Sequence, residues 1–134
     1  MRAASLFDEV IVAVSTNPAK KYRFSEEERV QMIRDQVSAI SGITVEPMGD
    51  GLLAEYCARK GARAILKGLR NSQDFEFETP MASMNRHLTG VETVFILGDP
   101  EYQYVSSSLI KEVASLGGDI SEFVPKSVAA KFAQ

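Results

Sequence analysis

Cysteine is nearly absent from this chain, with Cys57 the only one in 134 residues. A single thiol excludes an intramolecular disulfide framework and suits a reducing compartment. It lies in Leu52-Leu53-Ala54-Glu55-Tyr56-Cys57-Ala58, a helical pattern, and reads as a small packing residue rather than a reactive one. Histidine is equally scarce, because His87 stands alone. One imidazole beside Arg86, near the end of a predicted helix, is favourable to the helix dipole and reads as structural or surface. It cannot assemble a Ser/His/Asp or Cys/His set, and no metal-ligand cluster is spaced along the chain, so nucleophilic hydrolysis is disfavoured. Long apolar runs are missing too. None approaches the roughly 20 residues of a membrane span, and Asp8 and Glu9 interrupt the apolar core that a signal peptide requires. These features predict a cytoplasmic protein with no membrane contact. Basic excess is also lacking: 15 Lys and Arg face 18 Asp and Glu, for a net charge of −3. That balance argues against a general nucleic-acid binder but not against a small phosphorylated ligand, which needs only a local cluster.

What is present has the rhythm of an α/β protein. The length suits one domain over 1–134, with a core that needs no staples. Residues 2–7 read as the tail of a helix. Glu9 to Val14 is a nearly continuous apolar run, as expected of a strand buried on both faces of a parallel sheet. Ser25 with Glu28 forms a capping box, and Val30, Ile33, Val37 and Ile40 make one helical stripe that Gly42 ends. A strand at Ile43 to Glu46, a helix over 52–60 and a strand at Ala64 to Lys67 follow. Next come a helix over 72–88 and a strand at Glu92 to Leu97. Ser106 or Ser107 caps a helix ending at Gly117-Gly118, and two short helices near 119–124 and 126–133 flank Pro125. Four strand–helix repeats without internal repeats or linkers predict a Rossmann-like parallel sheet with helices on both faces. Ligands then bind at the carboxyl ends of the strands.

The strand-to-helix loops are therefore where chemistry is sought. The first carries Lys20 and Lys21, and the second Gly49-Asp50-Gly51. The third carries Lys67, Gly68 and Arg70, and the fourth leads into Tyr102-Gln103-Tyr104-Val105-Ser106-Ser107-Ser108. Each alone has a plain reading: a solvated lysine pair, surface charges, a serine helix cap. Together on one rim they offer cations and N–H or hydroxyl donors to a polyphosphate. Gly68, between two cations, lets backbone approach a ligand. Phosphoryl or nucleotidyl transfer fits such a set, because positioning and charge neutralisation carry that chemistry. Met81, Met84 and Leu88 read as core or subunit contact.

Several blocks at consistent spacing resemble the bacterial phosphopantetheine adenylyltransferases. They are Asn17-Pro18-Ala19-Lys20 before Phe24, Glu27-Glu28-Arg29, and Lys67 to Arg70 with Asp74-Phe75-Glu76. Met84-Asn85-Arg86-His87-Leu88, Val105 to Ser108, Lys111-Glu112-Val113 and Gly117-Gly118-Asp119 continue the likeness over essentially the whole chain. The resemblance implies the nucleotidyltransferase type of fold and adenylyl transfer from ATP to 4′-phosphopantetheine with Mg²⁺, giving dephospho-coenzyme A and pyrophosphate. It also implies a cytoplasmic homohexamer that coenzyme A inhibits. By position, Lys20 and Lys67 would hold the pantetheine phosphate and steady the α-phosphate, with Lys20 and Arg70 the catalytic cations. Gly68, Leu69 and Arg70 would contact ATP, as would Glu78 and Tyr102, Gln103, Tyr104, Val105, Ser106, Ser107 and Ser108. Leu53 and Asn85 would line the pantetheine arm.

Three departures accompany the likeness. The family's opening strand and its Gly-Thr/Ser-Phe-Asp-Pro … Gly-His segment have no match, so the sequence reads as N-terminally incomplete; only if the protein truly lacks that segment is it expected to turn over little. Pro80 falls inside a predicted helix and is expected to kink it or split it near Thr79. Phe77 stands where the family commonly has tyrosine. Two alternatives stay open: a non-catalytic ATP- or coenzyme-A-binding oligomeric module, and a nucleotidyltransferase with another phosphate-ester acceptor.

Overall fold

The computed structural model describes residues 2–133. In chain order the elements are α1 (Arg2–Leu6), β1 (Val10–Val14), α2 (Glu26–Val37), β2 (Ile43–Pro47) and α3 (Leu53–Lys60). They continue with β3 (Ala64–Leu69), α4 (Ser72–Thr89), β4 (Glu92–Leu97), a 3₁₀ turn at Pro100–Tyr102, α5 (Ser107–Ser115) and α6 (Lys126–Phe132). All strand pairing is parallel, as expected, but it runs in two ladders, β1 with β2 and β3 with β4. Each ladder belongs to its own compact unit: one holds the chain up to Pro47 and again from Val105, the other is Met48–Tyr104.

The first unit is a βαβ arrangement with α2 crossing between β1 and β2, which pair from Val10↔Ile43 to Val14↔Pro47. Helix α2 begins where the sequence places it. Ser25 Oγ accepts from Glu28 N at 3.1 Å and Glu28 Oε2 accepts from Ser25 N at 2.9 Å, closing the capping box. Val30 packs with Val14 and Val45, and Val12, Ile33, Val37 and Ile43 surround that core. The expectation of a strand buried on both faces is corrected: in β1 only Val14 is buried, and Ile11 is 37% exposed. Helix α2 covers one face of the β1–β2 ladder, and among the described residues β2 is the only strand that pairs with β1. Ile40 lies beyond α2, in a turn where its N–H donates to Val37 O at 2.9 Å.

Residues 119–124 form a turn rather than the expected helix. Asp119 explains it: its carboxylate accepts from Ser121 N at 2.9 Å and from Ser121 Oγ at 3.1 Å. A local side-chain bond of this kind competes with helical hydrogen bonding, and it lowers the Asp119 pKa.

Gly42 closes the α2–β2 connection with φ of 77°, and a Cβ there would lie 2.7 Å from Asp8 O. Gly49 has a similar φ of 72° but nothing within 4 Å of a built Cβ. Gly42→Ala is therefore expected to cost more stability than Gly49→Ala, which carries only the backbone strain of about 1–3 kcal/mol. Denaturant midpoints of the two variants check this, and equal losses would show that the Asp8 contact relaxes freely.

The second unit repeats the plan, with α4 crossing between β3 and β4 and register from Ala64↔Glu92 to Leu69↔Leu97. Helix α3 ends at Gly61, left-handed at φ 65°, whose N–H bonds back to Ala58 O and Cys57 O. Cys57 is buried beside Ala54 and Tyr56 in the sequence of that helix, and burial raises its thiol pKa, as suits an inert packing residue. Pro80 does not split α4, which runs unbroken from Ser72 to Thr89. The donor that proline removes would have served Glu76 O, and both residues lie on the exposed side of the helix, where that carbonyl is open to solvent. One turn back, Thr79 Oγ1 donates to Phe75 O at 2.6 Å. No helix among the described residues is long and apolar enough to cross a membrane.

Candidate functional site

In the second unit the carboxyl ends of β3 and β4 lie side by side because the strands are parallel and in register at Leu69↔Leu97. Gly98 N donates to Leu69 O at 2.6 Å, and a Cβ on Gly98 would stand 3.2 Å from that oxygen. The loops after β3 and β4 thus touch through backbone, and a side chain at 98 would push them apart. Strand β3 extends two residues further than the sequence suggests. Lys67 and Gly68 are strand residues, and only Arg70 occupies the loop. The ladder explains the difference: Ile96 and Leu97 of β4 offer partners to Gly68 and Leu69, which outweighs glycine's weak strand preference.

Helix α4 starts on Asn71, whose Oδ1 accepts from Asp74 N at 2.9 Å. That cap places Asp74 against Arg70. Its Oδ2 accepts from Arg70 N and from Arg70 Nε, both at 2.9 Å, and its Oδ1 accepts from Nη2 at 3.0 Å. A fork held on one edge by a carboxylate has a fixed plane as well as a fixed position. The Arg70 guanidinium, followed by the Arg70 backbone N–H, draws the Asp74 pKa down to about 2 from 3.8. One turn further along α4, Glu78 Oε2 lies 3.4 Å from Lys67 Nζ. Both cations of the Lys67–Arg70 block are therefore faced by carboxylates four residues apart on one helix.

That helix presents an unusual inner face. Asp74, Glu78 and Ala82 are partly buried, and Asn85 is the one buried polar residue among those described, at 5% exposure. The outer face carries the apolar residues, with Phe77 80% exposed and Met81, Met84 and Leu88 about half exposed. The core alternative for Met81, Met84 and Leu88 is thereby excluded. His87, in the last turn of α4, is exposed.

The remaining residues fall as follows. Leu53 opens α3 and is half-buried; Leu69 is buried; Gly68 is exposed. Tyr102 ends the 3₁₀ turn, and Gln103 N donates to Pro100 O at 3.3 Å. Tyr102, Gln103 and Tyr104 are exposed, and all three belong to the second unit. Lys20 and Val105 to Ser108 belong to the first. There Lys20 is exposed in the loop after β1, and Ser106 is the N-cap of α5, its Oγ accepting from Leu109 N at 3.2 Å. The cap reading of the serine run thus holds for Ser106, while Ser107 and Ser108 stand exposed in the first helical turn.

Residues 1–113 match the family described as cytidylyltransferase-like. A protein of Paenarthrobacter aurescens (strain TC1), named phosphopantetheine adenylyltransferase, is 67% identical over 127 residues, which cover 95% of this chain and 76% of that protein. Proteins of the same name from Micrococcus luteus and Renibacterium salmoninarum are 65% and 61% identical. The shares covered are 95% of this chain and 81% of the Micrococcus protein, and 98% and 82% for the Renibacterium one. The chain belongs to the phosphopantetheine adenylyltransferase family.

Within this member of the family, sequence reasoning found both cations of the Lys67–Arg70 block but assigned Asp74 no role. The signal was available in the four-residue spacing from Arg70 to Asp74, an ion-pair spacing when both lie at a helix start. Arg29 carries no signal of a role in the sequence, because no periodicity reveals which loop a helix side chain reaches.

Proposed function

We propose that this chain transfers the adenylyl group of ATP to 4′-phosphopantetheine, giving 3′-dephospho-coenzyme A and pyrophosphate in coenzyme A biosynthesis. A phosphate oxygen of phosphopantetheine attacks the α-phosphorus of ATP as the bond to pyrophosphate breaks, with no covalent enzyme intermediate. The observation that carries this reading is the identity of up to 67% to proteins named for the reaction, over 95% of the chain. In the second unit, Arg70 with Gly68 and Leu69 is assigned to ATP, Lys67 to the pantetheine phosphate, Glu78 and Tyr102 to Tyr104 to ATP, and Leu53 and Asn85 to the pantetheine arm. In the first, Lys20 neutralises phosphate charge, and Val105 to Ser108 contribute N–H and hydroxyl donors.

Mg²⁺ enters as the ion carried by ATP. Among the described residues no three His, Cys, Asp or Glu side chains group to hold a metal, and the Asp74 and Glu78 carboxylates already face Arg70 and Lys67. Among the described residues, then, the carboxylates nearest the two cations are engaged as their ion-pair partners, and Mg²⁺ is assigned to the nucleotide. A cytoplasmic homohexamer regulated by coenzyme A completes the proposal. The exposed apolar stripe of α4 supports self-association, since exposed apolar patches mark contact surfaces.

Pyrophosphate release with ATP and 4′-phosphopantetheine, with the nucleotide product identified by mass, tests the reaction. Release that depends on both substrates supports it. ATP binding by calorimetry without release would favour a binding module instead, and release with a different phosphate ester would move the chain to another acceptor.

A further inference from the structure

The loop between β1 and α2, which carries Lys20, is exposed from Ser15 to Arg23. An exposed loop has little apolar burial to offset the entropy of ordering it, yet this one is bonded at nearly every turn. Asn17 N donates to Tyr22 Oη at 2.9 Å, Ala19 N to Asn17 Oδ1 at 2.9 Å, and Lys20 N to Asn17 O at 2.9 Å. These bonds are held from α2 by Arg29. Its Nη1 donates to Ser15 O at 2.8 Å, its Nη2 to Thr16 Oγ1 at 2.7 Å, and its guanidinium lies 4.2 Å from the centre of the Tyr22 ring. Thr16 Oγ1 in turn donates to Glu26 Oε1 at 2.8 Å, so the same hydroxyl accepts and donates. The Lys20 ammonium takes no part in this network.

Arg29 also carries an anomaly. Its Nε is buried and has no hydrogen-bond partner. A buried orphan donor is uncommon and calls for a reason. Here the guanidinium sits where both amino groups and its flat face serve the loop, and Nε is left over. Lysine could not substitute, because the work is done by a planar fork that stacks on an aromatic ring.

We infer that Arg29, with Tyr22 as its platform, is a positioning residue for Lys20. It holds the Asn17–Lys20 turn so that the ammonium meets the phosphate of 4′-phosphopantetheine in one place, while neither residue touches that substrate. The inference rests on the reading that Lys20 engages the phosphate.

The test compares Kd for 4′-phosphopantetheine and for ATP, by calorimetry, in wild type, Lys20→Ala, Arg29→Lys, Tyr22→Phe and the Arg29→Lys/Lys20→Ala double variant. Arg29→Lys is expected to weaken 4′-phosphopantetheine about tenfold, the value of a charge-assisted contact, and to leave ATP within about twofold. Tyr22→Phe, which keeps the ring and deletes only the acceptor for Asn17 N, is expected to weaken the same substrate less. The double variant should bind no worse than Lys20→Ala, since two members of one unit do not add. Amide hydrogen exchange at Ala19 and Lys20 should quicken in Arg29→Lys while exchange at Val30 stays unchanged, which a general loss of stability would not produce. Lys20→Ala losing the substrate while Arg29→Lys and Tyr22→Phe bind it normally overturns the inference alone. Fully additive effects overturn it as well. Normal binding by Lys20→Ala overturns both the inference and the reading beneath it. Should Arg29→Lys fail to fold, Tyr22→Phe on the loop surface carries the same comparison.

Discussion

Arg70→Ala is expected to lower adenylyl transfer by about 10²–10³-fold, the usual loss when one preorganised donor to a developing oxyanion is removed. ATP affinity should fall with it, and Tm should fall modestly, because Arg70 is partly exposed yet is also the partner that stabilises the Asp74 carboxylate. Arg70→Lys keeps the charge without the fork and should recover only part of the loss. Asp74→Asn addresses the other half of the pair. An amide can accept only on its oxygen, so the two-point hold on the guanidinium is lost and ATP affinity should weaken even though no ligand contact was deleted. Steady-state kinetics together with ATP calorimetry would show it, and Asp74→Asn with wild-type ATP affinity would mean that Arg70 is oriented by something else.

The same pair fixes a pH dependence. The Asp74 carboxyl sits at about 2 in the folded chain against an ordinary 3.8. A carboxyl with a depressed folded pKa adds stability that is fully present above the unfolded value and disappears as pH falls through the folded one. Stability of wild type and Asp74→Asn should therefore differ by a constant amount at neutral pH, begin to converge near pH 4, and lose the Asp74 contribution by about pH 2. Carbon-detected titration of the Asp74 carboxyl measures the midpoint directly. A midpoint near 3.8 would show that the Arg70 pairing does not persist in solution.

Gly68→Val is expected to abolish ATP binding at normal substrate concentrations while leaving the fold intact. Gly68 lies in β3, is exposed, and is not among the glycines with positive φ. A Cβ built on it meets nothing within 4 Å. Neither backbone conformation nor packing requires glycine there, and valine is the better strand residue. What remains is space beside two cations, suited to a ligand that approaches the backbone closely. The contrast with Gly98 is instructive, since its Cβ would press on Leu69 O at 3.2 Å for reasons internal to the fold. Melting temperature and ATP calorimetry on Gly68→Val separate the two kinds of glycine. Unchanged Tm with ATP bound as in wild type would remove Gly68 from the ligand's path.

The sequence carried much of this in its local patterns. The Ser25–Glu28 capping box, the Val30/Ile33/Val37 stripe and the β4 run are properties of neighbouring residues, and each appears where the pattern places it. The turn at 119–124 and the extra length of β3 were misread because each is decided by a competing bond. One is the Asp119 carboxylate to Ser121, the other the β4 ladder to Gly68 and Leu69. Helix α4 was the least legible element. Phe77, Met81, Met84 and Leu88 face outward, so hydrophobic spacing pointed away from the side that holds Asp74, Glu78 and Asn85.

By itself, then, the order of residues determined the α/β class, the parallel pairing, the family and the cation–glycine–cation block, because each depends on short-range periodicity or on motif identity. Only the tertiary structure decided which carboxylate faces which cation, that Gly68 is free of packing demands, and that Arg29 grips the Lys20 loop. Those depend on where a crossover helix sets its side chains against a strand end and a neighbouring loop. Spacing along the chain does not encode such distances; the packing of α2 on β1–β2 and of α4 on β3–β4 does.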